Sequence, residues 1–214
     1  MILFENERFL AVEKPSGLSM ATRPGDASAA ARILAALGLP GGEDLRLVHR
    51  LDVGTSGIVL VARGPAAHRA ATALFSARSV RKVYRAVVWG HPVPARGVVD
   101  LPLAVDRADR RKMRTAPGGK RAVTRWTTLG RLPSVAHLEL FPETGRTHQI
   151  RVHLAGLGHP IVGDDLYGGD VTGSEALAGR HALHASRLAW PGDDEVPAFT
   201  VDSPLPAELA ALLA

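Results

Sequence analysis

His49-Arg50-Leu51-Asp52-Val53-Gly54-Thr55-Ser56-Gly57 runs directly into Ile58-Val59-Leu60-Val61-Ala62. The second segment is a short, unbroken apolar run rich in β-branched residues, the pattern of a strand buried on both faces. The first segment is then a polar, glycine-containing loop that feeds this strand. Thr55 and Ser56 can hydrogen-bond backbone groups and fix the loop. Asp52 lies within it, next to Arg50. A carboxylate kept ionised by an arginine partner can act as nucleophile or base. A loop aspartate can also do no more than organise a turn, so its meaning depends on the rest of the chain.

Upstream, residues 2–4 and 9–12 read as short strands around a turn at 5–8. Lys14-Pro15-Ser16-Gly17 is a further turn. Residues 26–37 read as a helix: Asp26 or Ser28 can cap it, Ile33, Leu34 and Leu37 form its apolar stripe, and Gly38 can stop it. Downstream, Pro65 opens a helix that runs to residue 75. The alternation over 83–89 predicts a strand with Tyr84, Ala86 and Val88 on one face. Residues 124–129 and 134–141 form a hairpin across 130–133. The pattern predicts a helix over 147–157, ended by Gly158, and a C-terminal helix over 206–213. Many strands, few helices and no repeat point to an α+β fold on a mixed, mostly antiparallel sheet, as one domain over 1–214.

Three more segments carry candidate chemistry. In Glu143-Thr144-Gly145-Arg146-Thr147-His148-Gln149-Ile150-Arg151-Val152-His153, Ile150 and Leu154 face the core at helical spacing, and Arg151 sits beside that stripe. A buried arginine needs a carboxylate partner. Asp52 is a candidate, although spacing alone does not establish the pair. Arg146, at the start of the expected helix, could help its backbone N–H groups hold a phosphate. His148, His153 and His159 lack the spacing of zinc ligands on a helix, so no metal site is expected. Asp164-Asp165 reads as a structural turn. Tyr84, one of the chain's two tyrosines, can offer a base a stacking face. The stretch 106–125 carries Arg107, Arg110, Arg111, Lys112, Arg114, Lys120, Arg121 and Arg125 around Pro117-Gly118-Gly119. It reads as a basic, mobile loop suited to phosphates.

The net charge of +5 and pI of about 10.2 suit a polyanionic partner. Arginine supplies most of the positive charge, since the only lysines are Lys14, Lys82, Lys112 and Lys120. No apolar run is long enough to cross a bilayer. The start, with Glu5 and Glu7 after a few apolar residues, lacks the form of a signal peptide. Cysteine is absent, which rules out disulfides and fits a reducing cytoplasm.

These segments, in this order, resemble the RluA family of pseudouridine synthases. His49-Arg50-Leu51-Asp52 with Thr55-Ser56-Gly57 is similar to the family's catalytic motif. Phe9 to Leu18 resembles its opening strand and KPxG turn, and Lys82 to Gly90 its tyrosine-bearing strand. Gly145 to His153, Gly158 to Gly163 and Leu166-Tyr167-Gly168 resemble its arginine-bearing helix and the following loop. Leu183-His184-Ala185 resembles its LHA segment. The chain departs from the family pattern at Glu13, at Ser19-Met20-Ala21-Thr22 and at Trp190-Pro191-Gly192, which bears on RNA contacts more than on chemistry.

The resemblance implies a pseudouridine-synthase-like fold with a central cleft, no metal and no organic cofactor. It puts Asp52 in the place of the catalytic aspartate, Tyr84 in that of the tyrosine stacking on the target base, and Arg151 in that of the arginine paired with the aspartate. Arg50 takes the position associated with the flipped nucleotide. The early KPSG turn leaves no room for an N-terminal RNA-binding domain. The implied partner is a structured ribosomal or transfer RNA stem-loop, held by Arg50 and Arg146 and by the loop residues Arg110, Arg111, Lys112, Lys120 and Arg121. A monomer in the cytoplasm is expected. The sequence is compatible with Asp52 attacking C1′ and equally with its assisting loss of the C2′ proton. A nuclease or glycosidase would want a second catalytic carboxylate or a metal cluster.

Overall fold

In a computed structural model of the chain, residues 1–21, 27–39, 44–168, 177, 179–193 and 196–214 are described, those at 27–30 by their backbone alone. Among them the elements run β1 (Ile2–Glu5), β2 (Phe9–Lys14), α1 (Ala27–Ala36), β3 (Leu45–Leu47), β4 (Ser56–Arg63), α2 (Gly64–Ser76) and β5 (Arg81–Trp89). They continue with β6 (Arg96–Asp100), β7 (Leu103–Val105), β8 (Met113–Thr115), β9 (Val123–Arg131), β10 (Val135–Pro142) and α3 (Gln149–Gly156). Strands β11 (Leu183–Trp190) and β12 (Phe199–Asp202) and helix α4 (Ala207–Ala210) close the chain, with a 3-10 turn over Ala211–Leu213. This is the expected α+β architecture, with antiparallel pairing throughout the strand pairs described below.

The chain divides into two compact units, residues 1–81 with 185–204, and residues 82–184 with 205–214. In the first, β2 pairs with β1 and with β4, β3 pairs with β4, and β12 pairs with β11. Strand β4 is buried from Ser56 to Ala62. Burial on both faces is what its unbroken apolar run demands. Phe9, Ala11, Ile58, Leu60 and Ala62 form a core with Ala67 and Ala71 of α2 and with Leu188 and Phe199. Pro65 stands in the first turn of α2, where its fixed φ helps and its missing N–H costs nothing. Ile33, Leu34 and Leu37 are buried, as the α1 stripe requires, and Gly38 follows with φ +77°. The proposed caps lie outside what is described, Asp26 as a whole and Ser28 by its side chain.

In the second unit, β10 pairs with β5 and β9, and β9 pairs with β6. Alternate residues of β10 point inward: Ala136, Leu138 and Leu140 join Ala86 and Val88 of β5 and Ile150 and Leu154 of α3 in one core. The register sets Tyr84 opposite Leu140, Leu140 opposite Trp126, and Trp126 opposite Gly97. Gly97 makes that row possible, because a Cβ there would lie 2.2 Å from the Trp126 ring.

Three sequence expectations are corrected. The stretch 106–125 is not a mobile loop. It holds β8, paired with β7, and its turn is fastened by Asp106 Oδ1, which accepts from the amides of Ala108 (2.7 Å) and Asp109 (3.2 Å). Helix α3 begins at Gln149 rather than 147, because His148 is left-handed, with φ 54°. Histidine is among the residues that tolerate this region best. The hairpin turn is shorter than expected, since Gly130 and Arg131 still belong to β9.

Candidate active site

Asp52 sits half-buried in the loop before β4. The loop is fixed from the side by the KPSG turn of the same unit. Lys14 is fully buried, and its ammonium donates to the carbonyls of Val53 (3.1 Å) and Pro15 (2.8 Å). The Gly17 amide donates to the same Val53 carbonyl at 2.8 Å. Ser16 Oγ donates to the Gly54 carbonyl at 3.1 Å. Thr55 closes the turn by donating its amide to the Asp52 carbonyl at 3.1 Å. His49 anchors the other end: its Nε2 accepts from the Leu60 amide at 3.0 Å, and its ring stacks on Phe75 at 4.8 Å. Backbone groups on both sides of Asp52 are therefore pinned, and the carboxylate is carried on a preorganised support. Arg50, two residues away, is exposed.

In the second unit Tyr84 is half-buried on β5 and packs against the core. Its cross-strand neighbour row fixes the strand beneath it. Next to it, Arg85 pairs with Glu139 at 2.8 Å across the β5–β10 register.

Arg151 is 5% exposed. Its guanidinium is held bidentately by Asp164: Nε donates to Oδ2 and Nη2 to Oδ1, both at 2.7 Å. Asp164 also accepts from the amides of Leu166 and Tyr167, each at 3.1 Å. The expected structural turn is present, and its carboxylate has the additional task of holding Arg151. The guanidinium carbon lies 5.0 Å from the centre of the Tyr167 ring, a cation–π distance. Burial alone would push the Asp164 carboxyl up. The hydrogen bonds and charge of Arg151, with smaller help from His181 and the Tyr167 amide, outweigh it and hold the carboxyl below the ordinary value.

The three histidines of this region have separate partners. His148 Nδ1 lies 2.8 Å from the Tyr167 hydroxyl. His153 is held between Thr124 Oγ1 and the Leu101 carbonyl, both at 3.0 Å. His159 Nδ1 lies 2.9 Å from the Trp89 carbonyl. Arg146 stands outside α3, which begins at Gln149. It lies before His148, and its Nε donates to the Arg121 carbonyl at 3.1 Å.

The basic residues fall into two groups. Arg111 is engaged with Asp109 at 2.8 Å, Arg121 with Asp100 at 3.8 Å and Arg125 with Glu143 at 2.6 Å. Arg107, Arg110 and Lys120 are exposed and make no ion pair among the described residues. Exposed pairs such as Arg111–Asp109 are screened by water and yield easily to a phosphate.

Sequence reasoning did not select Lys14, Asp164 or Tyr167 as site residues. Lys14 had a signal, a lysine directly after an apolar strand and before Pro-Ser-Gly. Asp164 had one only through the need of Arg151 for a carboxylate.

The model of the RNA pseudouridylate synthase family matches residues 8–156. An uncharacterised RNA pseudouridine synthase of Bacillus subtilis, YhcT, is 39% identical over 99% of this chain and 70% of its own length. The dual-specificity RNA pseudouridine synthase RluA of Escherichia coli is 40% identical over 88% of this chain and 85% of its own. Among solved structures, the human RNA pseudouridylate synthase domain containing 4 matches with a TM-score of 0.78 at 29% identity, covering 99% of this chain and 91% of that one.

Proposed function

Since the chain belongs to the RNA pseudouridylate synthase family and is an RNA pseudouridine synthase, an isomerase, we propose that it converts selected uridines of structured ribosomal or transfer RNA, with Asp52 as the catalytic carboxylate. The observation that carries this reading is the support built around Asp52. A wholly buried lysine and the turn that bears it hold the backbone of Val53 and Gly54, an investment that a surface turn does not need. Residues 1–214 act as one catalytic domain in this reading. The dual specificity in the name of the Escherichia coli relative supports more than one RNA target as a candidate.

The reaction breaks N1–C1′, rotates the uracil and joins C5 to C1′. C5 gives up its proton and N1 gains one, so neither water nor a redox partner is consumed, and no cofactor is called for. The target base must leave its stack, at a cost of a few kcal/mol. Tyr84 offers the flipped base a stacking face. Arg50 fills the gap or holds a phosphate. Asp52 attacks C1′ or assists loss of the C2′ proton, and Arg151 serves as its basic partner, as the family motif implies. Arg146, the hairpin residues Arg110, Arg111 and Lys112, and Lys120 and Arg121 beyond the hairpin contact the RNA backbone. We take the enzyme to be a cytoplasmic monomer; the absence of cysteine fits the reducing compartment. No helix of the described residues is long and apolar enough to cross a membrane.

The test is to incubate the purified protein with total RNA from a host strain lacking the gene, beside an Asp52→Asn control, and to map pseudouridine chemically. New pseudouridine at one or a few sites, absent with the control and without change of RNA mass, is the expected result. RNA binding without any new pseudouridine overturns it.

A further inference from the structure

Tyr167 joins two parts of the second unit that the reaction uses differently. Its hydroxyl oxygen accepts from the Met113 amide of β8 at 2.7 Å. Its ring lies against the Arg151 guanidinium at 5.0 Å. Its own amide donates to Asp164 Oδ1, the oxygen that also receives Arg151 Nη2. The same hydroxyl lies 2.8 Å from His148 Nδ1. Met113 and Tyr167 pack on one small apolar cluster made of Leu103 from β7, Ala122 and Val152 from α3. The hairpin β7–β8, whose turn carries Arg107, Arg110, Arg111 and Lys112, is thus tied to the helix of Arg151 by a patch of apolar contact and one polar contact.

We infer that Tyr167 is a positioning residue that couples the basic hairpin to Arg151: its hydroxyl sets where the hairpin lies, and its ring sets where the guanidinium lies. The two tasks sit on different atoms of one side chain and can be separated. The inference rests on the proposed roles of Arg151 and of the hairpin. A hydroxyl that served only to fill space would have no reason to meet the backbone amide of the element that carries the phosphate-binding charges. A ring present only for packing would not need a cation on its face.

The experiment compares Tyr167→Phe with Tyr167→Leu, both checked for a folded state by thermal melting, through Met113 amide exchange, KM and kcat. Tyr167→Phe keeps the ring and removes the hydroxyl. Met113 exchange should quicken, KM for RNA should rise about fivefold, the equivalent of one ordinary hydrogen bond, and kcat should stay within about twofold. Tyr167→Leu removes both, so kcat should fall about tenfold or more in addition. Unchanged Met113 exchange or unchanged KM in Tyr167→Phe overturns the coupling. So does an equal loss of kcat in the two variants. Failure of the catalytic reading looks different: wild type and Asp52→Asn would be alike in turnover, while Met113 exchange, read without any turnover, still reports on the joint.

Discussion

Asp164 has no exposed side-chain surface, and Arg151 opposite it has 6%. Replacing the carboxylate with a neutral amide leaves a guanidinium charge buried without compensation. Asp164→Asn should therefore cost about 3 kcal/mol in equilibrium denaturation, far more than loss of an exposed pair. The pH dependence has a definite sign. The folded pKa of Asp164 is held below its ordinary value, so its contribution is fully present above the unfolded value of about 3.9 and disappears as pH falls through the folded value. The gap between wild type and Asp164→Asn should hold from neutral pH down to about 4 and close only below that. His181 behaves oppositely in origin. Burial first, then the positive charge of Arg151, pushes its pKa down to about 3. Unfolded histidine takes up a proton below about 6.5 while the folded residue does not, so stability falls as pH drops through that window, by up to about 1.4 kcal/mol per pH unit. His181→Gln should flatten the slope measured by denaturant titration between about pH 6 and 4. The remaining slope belongs in part to His153 and His137, which burial also pushes down. An unaltered slope would show that His181 is not the group responsible.

At the level of strands and helices, close backbone approach separates glycines that look alike in sequence. Gly57, the last residue of the Asp52 motif, has φ +115°, and a Cβ there would meet the Ala185 carbonyl oxygen of β11 at 2.3 Å. Gly130, also within a strand, has open space around it. Gly57→Ala should cost about 3 kcal/mol or more, through strain and collision with backbone. Gly130→Ala should stay within about 0.5 kcal/mol. Denaturation of the two variants side by side checks this, and similar losses would refute it. The sequence pattern reached β4 through its unbroken apolar run, β5 through its alternation, α2 through Pro65 in its first turn and the β9–β10 hairpin through the turn between its strands. It misplaced the start of α3, where tertiary contacts override local pattern. The Gln149 side chain accepts from Thr144 Oγ1 (2.6 Å) and the Arg146 amide (3.0 Å), and donates to the Val123 carbonyl (2.9 Å). That knot sets His148 left-handed. Strands β7 and β8, spanning three residues each, are too short to show a period. The motifs named Asp52, Tyr84 and Arg151, but Asp164 and Tyr167 act through partners that only the fold brings near.

Over the whole chain, a net charge of +5 is too small to explain RNA affinity by itself, and its placement decides what it does. The acids Asp109, Asp100 and Glu143 already occupy Arg111, Arg121 and Arg125, so the long-range field near the hairpin comes mainly from Arg107, Arg110, Lys112, Arg114 and Lys120. Each cation that neutralises a phosphate displaces a condensed counterion and adds roughly 0.7–0.9 to the slope of log Kd against log salt. Arg107→Ala with Arg110→Ala should reduce that slope by about 1.5. The slope is best measured with the Asp52→Asn protein on an RNA stem-loop between roughly 50 and 200 mM salt, where binding is read without turnover. Arg111→Ala tests the same logic from another side. It leaves the Asp109 carboxylate, which Arg111 bonds hold down at about 2, as an uncompensated anion within the basic stretch. Its affinity loss at low salt should exceed that of Arg110→Ala, although Arg111 is the arginine already paired. A double substitution at Arg107 and Arg110 that weakens binding while leaving the salt slope intact would mean that the hairpin does not release counterions, and that the phosphate contacts lie on another face of the molecule.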